Sequence, residues 1–177
     1  QYQIRLVELP DVEDKDLLDA VKLKAADFIN FPLDEAVVDL IHIPAKAFHG
    51  RRKMGYLIIC QQQIIQHWHQ CIGAAGLTLH AIDIEDMSLR NLAQRNTTKR
   101  QNGLVFFNKQ STQISLFYEH DLVLVRKIDI GSDSLIQNNE LDAIQKDALI
   151  LEVQRSFDYF QSQLGLGLVE HLSILAQ

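Results

Sequence analysis

The sequence is poor in cysteine, proline and cationic residues and has no long apolar run, and each shortage removes a class of protein. Two cysteines, Cys60 and Cys71, lie inside apolar stretches and cannot build the disulfide framework of a small secreted domain. They read as reduced, buried thiols of a cytosolic-type protein. No apolar stretch approaches the roughly 20 residues that span a bilayer, and no signal peptide opens the chain, so this segment is not expected to insert into a membrane. The chain starts without methionine and reads as a fragment. Lys and Arg number 17 against 23 Asp and Glu, a net charge of −6 with a pI near 5.6, which disfavours a nucleic-acid surface built on clustered cations. The basic runs Arg51-Arg52-Lys53 and Arg95 to Arg100 fall in polar linkers and read as solvated loops. With 47% hydrophobic and 23% charged residues, the chain is too apolar for disorder and long enough to bury a core.

What is present is an alternation of short strands and amphipathic helices. Tyr2 to Leu9 alternates and stops at Pro10, which predicts a strand. A helix follows with Leu17, Leu18, Val21, Ala25, Phe28 and Ile29 at spacings of three and four, closed by Asn30-Phe31-Pro32. Ala36 to Ile43 and Gly55 to Cys60 read as a hairpin, and Ile64, Ile65, Trp68, Cys71, Ile72 and Ala75 mark a second helix with one apolar stripe. Leu77 to Ile84 returns as a strand. Residues 1–84 thus predict a split βαββαβ unit, two helices covering one face of a small sheet.

Glu85 to about Gln94 predicts a short helix, and Arg95 to Asn102 a linker. Beyond it, Leu104 to Phe107, Thr112 to Tyr118 and Leu122 to Ile130 read as strands joined by tight turns. A long helix is expected from Leu141 to Leu164, with Leu141, Ile144, Ala148, Leu151, Phe157, Phe160 and Leu164 available for burial, and Val169 to Leu175 closes as a strand. The fold class is α/β, a βαββαβ unit followed by βββαβ.

Catalytic constellations are scarce. His67 and His69 flank Trp68, but on a helix their imidazoles diverge by about 200°, poor geometry for one metal. No nucleophile elbow, no Gly-x-x-x-x-Gly-Lys-Ser/Thr and no Gly-x-Gly-x-x-Gly is present. Asp83, Glu85 and Asp86 stand at a strand end, where α/β sites are often built, and equally suit a helix cap. The absence of a complete site points to a module that acts by binding other proteins.

Several blocks, in order, resemble the PilM/MshI family of type IV pilus assembly proteins, which have an actin-like fold. Leu6 to Pro10 with Phe28-Ile29-Asn30-Phe31-Pro32-Leu33-Asp34-Glu35-Ala36 is similar to the family's "LELP … YIPFPLEEV". Ala74-Ala75-Gly76-Leu77 with Ile82-Asp83-Ile84-Glu85 resembles "AAGL … VDVE", and Glu152 to Phe160 resembles "EIQRSLDFF". The resemblance implies that residues 1–84 are the inserted small subdomain, that 85–102 belong to a first lobe, and that 103–177 are most of a second, ribonuclease H-like lobe. It also implies a first phosphate loop upstream of Gln1 and an adenosine segment beyond Gln177.

At the family's second phosphate loop the chain departs from the pattern Val-Asp-Ile-Gly-Ala-Thr-Thr-Thr and has Val105 to Thr112 instead. Phe106 then stands where the metal-holding carboxylate would be and Asn108 where a glycine lets backbone amides approach phosphate, with Lys109 and Ser111 beside them. A phenyl ring cannot ligate Mg²⁺. Glu85 matches the family glutamate that orients water. The resemblance therefore implies a non-catalytic assembly platform at the cytoplasmic face of the bacterial inner membrane, with no cofactor and with ATP binding left open. Its expected partner is the cytosolic tail of an inner-membrane pilus protein, with an assembly ATPase as a further contact. Leu17, Val21, Phe28, Ile4 and Leu6 are the candidate docking residues. The rival readings are an actin-like ATPase whose missing loops lie outside this chain, and the cytoplasmic domain of a type II secretion platform protein.

Overall fold

The computed structural model describes residues 2–95, 97–137 and 140–176. The chain forms two compact units, Gln1–Ala45 with Arg52–Ile84 and Lys46–Arg51 with Glu85–Gln177.

In the first unit, strand β1 (Gln3–Glu8) leads into helix α1 (Asp14–Lys22), whose last turns tighten to a 3₁₀ helix over Leu23–Asp27. Strand β2 (Ala36–His42), strand β3 (Met54–Gln61) and helix α2 (Gln62–Ala74) complete it. The sheet runs β1-β3-β2, antiparallel throughout, with β3 central because it is the most apolar of the three. Its register puts Val7, Leu57, Ile59 and Ala36 on one face, where they bury against Leu17, Val21 and Ala25 of the α1 region. Tyr56, Ile58 and Cys60 point to the other face.

Three expectations need correction here. Leu77–Ile84 forms no strand: it is extended, but no strand pairs with it among the described residues. The unit is therefore βαββα with a three-stranded sheet. The two helices also do not share a face, because α2 stands over the face that α1 leaves uncovered. Finally, the apolar stripe of α2 is not buried; Trp68 is 53% exposed, and no residue of the helix counts as core.

The second unit opens with helix α3 (Glu85–Arg95) and continues with strands β4 (Gln101–Phe107), β5 (Thr112–Tyr118) and β6 (Asp121–Ile128). A single turn, α4 (Ser132–Leu135), and the short pair β7 (Ile136–Gln137) and β8 (Glu140–Leu141) precede helix α5 (Ala143–Ser162) and strand β9 (His171–Ala176). The sheet order is β6-β5-β4-β9, with β9 parallel to β4 and the other pairs antiparallel. Helix α3 covers one face, and α5 covers the other, where Arg126 of β6 meets Glu152 at 3.3 Å. The buried line of α5 is Leu149, Ser156 and Phe160, followed by Leu164. Leu141, Ile144 and Leu151, expected to be available for the core, are exposed instead. At Gly103 the strands approach so closely that an added Cβ would sit 2.6 Å from a Leu116 methyl.

The segment Lys46–Arg51 packs with this second unit. The Lys46 ammonium lies 3.8 Å from the centre of the Tyr118 ring, and His49 Nε2 pairs with the Ser162 carbonyl at 2.9 Å. Phe48 and His49 hold the left-handed conformation, a local strain that these contacts must outweigh.

Asp142 caps α5 by accepting hydrogen bonds from the backbone N–H groups of Ile144 and Gln145 at 2.9 and 3.0 Å. Asp142→Ala is therefore expected to cost about 1 kcal/mol. Urea unfolding followed by circular dichroism measures this, and an unchanged midpoint would contradict it.

Candidate functional site

The hairpin between β4 and β5 holds the residues that the sequence resemblance aligns with a phosphate loop. Phe106 is only 8% exposed and, by register, shares the α3 face of the sheet with its cross-strand partner Gln113. The Gln113 amide donates to Asp86 Oδ1 at 2.9 Å and lies 3.2 Å from Ser115 Oγ, so a buried polar cluster sits beside the phenyl ring's position. In the turn, the Asn108 N–H donates to the Ser111 carbonyl at 2.8 Å. The start of α4 then clamps this turn from outside. Ser132 N–H donates to the Asn108 carbonyl and Asp133 N–H to the Lys109 carbonyl, each at 3.0 Å.

The fit of a magnesium-bound phosphate to this turn is poor on three counts. The side chain at the carboxylate position is a buried phenyl ring. Asn108 lacks the positive φ that a glycine there would supply, since positive φ outside glycine is confined to Phe48, His49 and Glu119 among the described residues. The N–H of Asn108 is already engaged within the turn. Lys109 is exposed, Ser111 is buried, and Glu85 is exposed on the first turn of α3.

The first unit carries a different feature, an apolar pocket of about 550 Å³. Its floor is the sheet face that α1 does not cover, through Val37, Ile58 and Cys60. One wall is α2, through Ile64, Ile65 and Trp68, and the opposite wall is the extended run from Leu79 to Ile84. The alternation that predicted a strand in that run thus serves to line a cavity. Asp39, His80 and Asp83 bring polar groups to it, and each carboxylate accepts a hydrogen bond at 2.8 Å from the next residue's N–H. Partial burial pushes the Cys60 thiol above its ordinary value, so it stays neutral. This is the size and apolar character of a ligand or peptide pocket.

The candidate docking residues divide between the two faces. Leu17 at 6% and Val21 at 0% exposure are core residues and present no surface, and Phe28 packs against the same core. This corrects the assignment of Leu17 and Val21 as contacts, because both are used up in holding the sheet, while Phe28 stays partly exposed. Ile4 and Leu6 lie on β1, an edge strand, and share the pocket's face of the sheet. Sequence reasoning missed Trp68, Ile82 and Asp39 as surface groups. The available signal was the stretch from Gln61 to Ile82, which contains no Asp, Glu, Lys or Arg. Among the described residues, no three His, Cys, Asp or Glu side chains gather as a metal site. No helix there is long and apolar enough to cross a membrane.

The two-unit α/β chain has a PilM-like fold. The likeness is to a chain of a PilM–PilN type IV pilus biogenesis complex, with a TM-score of 0.68 and 19% identity over 99% of this chain and 59% of that one. A second likeness is to the cytoplasmic domain of EpsL, an inner-membrane component of the type II secretion system of Vibrio cholerae, with a TM-score of 0.56 and 10% identity over 99% of this chain and 58% of that one. A third structure, from Bacteroides thetaiotaomicron and described as having an actin-like ATPase fold, aligns at a TM-score of only 0.42, too low to bear on the fold. The chain spans less than two thirds of the length of each of these structures. No protein-family model and no curated protein matches the sequence.

Proposed function

We propose that this chain is part of a non-catalytic assembly platform for a type IV pilus of the MSHA type, and that it docks the cytosolic tail of an inner-membrane partner at the cytoplasmic face of that membrane. The observation that carries the reading is the apolar pocket over the face of the first sheet that α1 leaves uncovered, walled by a helix whose tryptophan is half exposed. Apolar surface of that extent, rimmed by polar groups, marks an interaction site. The PilM–PilN structure supplies the kind of partner by analogy of fold. The likeness to EpsL makes a type II secretion platform the alternative setting for the same docking role. The phosphate turn supports the non-catalytic half of the proposal, because Phe106 offers no oxygen to a metal.

Trp68 is the sole tryptophan, so its fluorescence reports on the pocket directly. Adding a peptide of the PilN-type cytosolic tail is expected to shift its emission to the blue, saturably. Trp68→Ala, followed with a labelled tail, is expected to weaken binding roughly 30-fold or more, as for a central interface anchor. Because Trp68 is half exposed, stability should change by less than about 1 kcal/mol. Tail binding that leaves Trp68 emission unmoved and tolerates its removal would rule out this pocket.

A further inference from the structure

The second unit carries an apolar surface that neither the phosphate turn nor the pocket of the first unit accounts for. Strands β7 and β8 pair Ile136 directly with Leu141, which sets both side chains on one face of the ribbon, 57% and 58% exposed. The surface continues onto α5. Ile144, three residues on, is 80% exposed, more than any other large apolar side chain among the described residues. Leu151 stands two turns further along the same side of the helix, about 10 Å away, with Ala148 between them. The buried side of α5 is the line through Leu149, Ser156 and Phe160, so this row is left over after the helix has packed on its own sheet.

Single exposed aliphatic residues are ordinary, but a row of them rimmed by polar groups marks an interaction surface. Charge around the row is one-sided. From Ile128 to Ile150 the sequence has five acidic residues, Asp129, Asp133, Glu140, Asp142 and Asp147, and one basic residue, Lys146. Lys146 is itself 3.5 Å from Asp147, and Asp142 is occupied in capping α5. Asp133, Glu140 and Asp147 are exposed. A second copy of the chain would set carboxylates against carboxylates, and an anionic lipid surface would be repelled. The complementary surface is apolar and cationic. The seven-residue spacing of Ile144 and Leu151 is that of one helix packing along another.

We infer that Ile136, Leu141, Ile144 and Leu151 form a docking surface for an amphipathic helix of a partner protein, one with an aliphatic stripe flanked by lysine or arginine. Burial of the row supplies the affinity, and the carboxylates set the orientation and the speed of encounter. The surface belongs to the second unit and does not depend on what the pocket of the first unit binds.

The probe is a labelled peptide of leucine and lysine, about four helical turns long with its leucines on one side, followed by fluorescence anisotropy with the intact chain. Saturable binding is expected, and the same peptide with glutamate in place of lysine should not bind. Ile144→Gln combined with Leu151→Gln, which keeps helix propensity, should weaken binding roughly tenfold or more, and so should Glu140→Lys combined with Asp147→Lys. Leu141→Gln, outside the helix, should weaken it roughly fivefold. Trp68→Ala should leave it unchanged. Thermal unfolding of each variant checks that the fold is intact. The proposal is overturned by absent saturation, by equal affinity for the glutamate peptide, by an affinity indifferent to the aliphatic or the charge substitutions, or by loss of binding in Trp68→Ala. A dimer in sedimentation, or binding to phosphatidylglycerol vesicles, that disappears with Ile144→Gln would also overturn it, by giving the surface to a second copy or to a membrane.

Discussion

Phe106→Asp, which introduces the carboxylate found at this position in the pattern the sequence resembles, is expected to destabilise the second unit by about 3–5 kcal/mol and to create no magnesium-dependent nucleotide binding. The ring is 8% exposed on β4, a strand flanked by β5 and β9. Removing it forfeits the burial of a large aromatic side chain and leaves a cavity. The incoming carboxylate gains no partner in exchange. It shares a sheet face with Gln113, whose amide is already engaged by Asp86, so a second negative charge arrives beside a buried first one. Denaturant unfolding measures the loss, and calorimetry with ATP and Mg²⁺ is expected to stay flat. A variant as stable as the parent that binds nucleotide would show that the turn retains a phosphate site.

Gly131→Ala is expected to cost about 2–4 kcal/mol, although alanine suits the backbone there. The residue has φ −118° and ψ −177°, ordinary extended geometry, so glycine is needed for space and not for conformational freedom. An added Cβ would stand 2.3 Å from the Lys109 carbonyl oxygen and 2.5 Å from the Gln110 carbonyl carbon. All of these are backbone atoms and cannot swing aside. Relief requires the start of α4 to move off the turn, which breaks the hydrogen bonds from Ser132 and Asp133 to the Asn108 and Lys109 carbonyls. Hydrogen exchange at the Ser132 and Asp133 amides should accelerate along with the fall in stability. Unchanged protection there would show that the clamp does not hold the turn.

The α/β class was legible because alternation and three-four spacing record which side chains need cover, and the PilM-like fold because sequence blocks such as Glu152 to Phe160 resemble that family. That logic places β1, β2, β3, β5 and β6 within a residue or two, whereas β4 begins at Gln101, three residues before the expected Leu104 and inside the expected linker. It fails where cover comes from something other than the expected neighbour. Leu77 to Ile84 alternates like a strand, but a strand also needs a free partner edge, and periodicity says nothing about that. The stripe of α2 has the spacing of a core helix, yet Ile64, Ile65 and Trp68 wall a cavity. Helix α5 has apolar residues on more than one side, and the sequence could not tell that Leu149 and Ser156 turn inward while Ile144 and Leu151 do not. At the candidate site, the identities of Phe106 and Asn108 were visible in the chain. The clamp on them from Gly131, Ser132 and Asp133 was not, because it joins segments about twenty residues apart through backbone atoms alone.

The most direct test of docking in place of hydrolysis is a pair of calorimetric titrations on the intact protein, one with the PilN-type tail peptide and one with ATP and Mg²⁺. Saturable heat with the tail, lost in Trp68→Ala, and none with nucleotide is the predicted result. Micromolar, magnesium-dependent nucleotide binding with no response to the tail would contradict it.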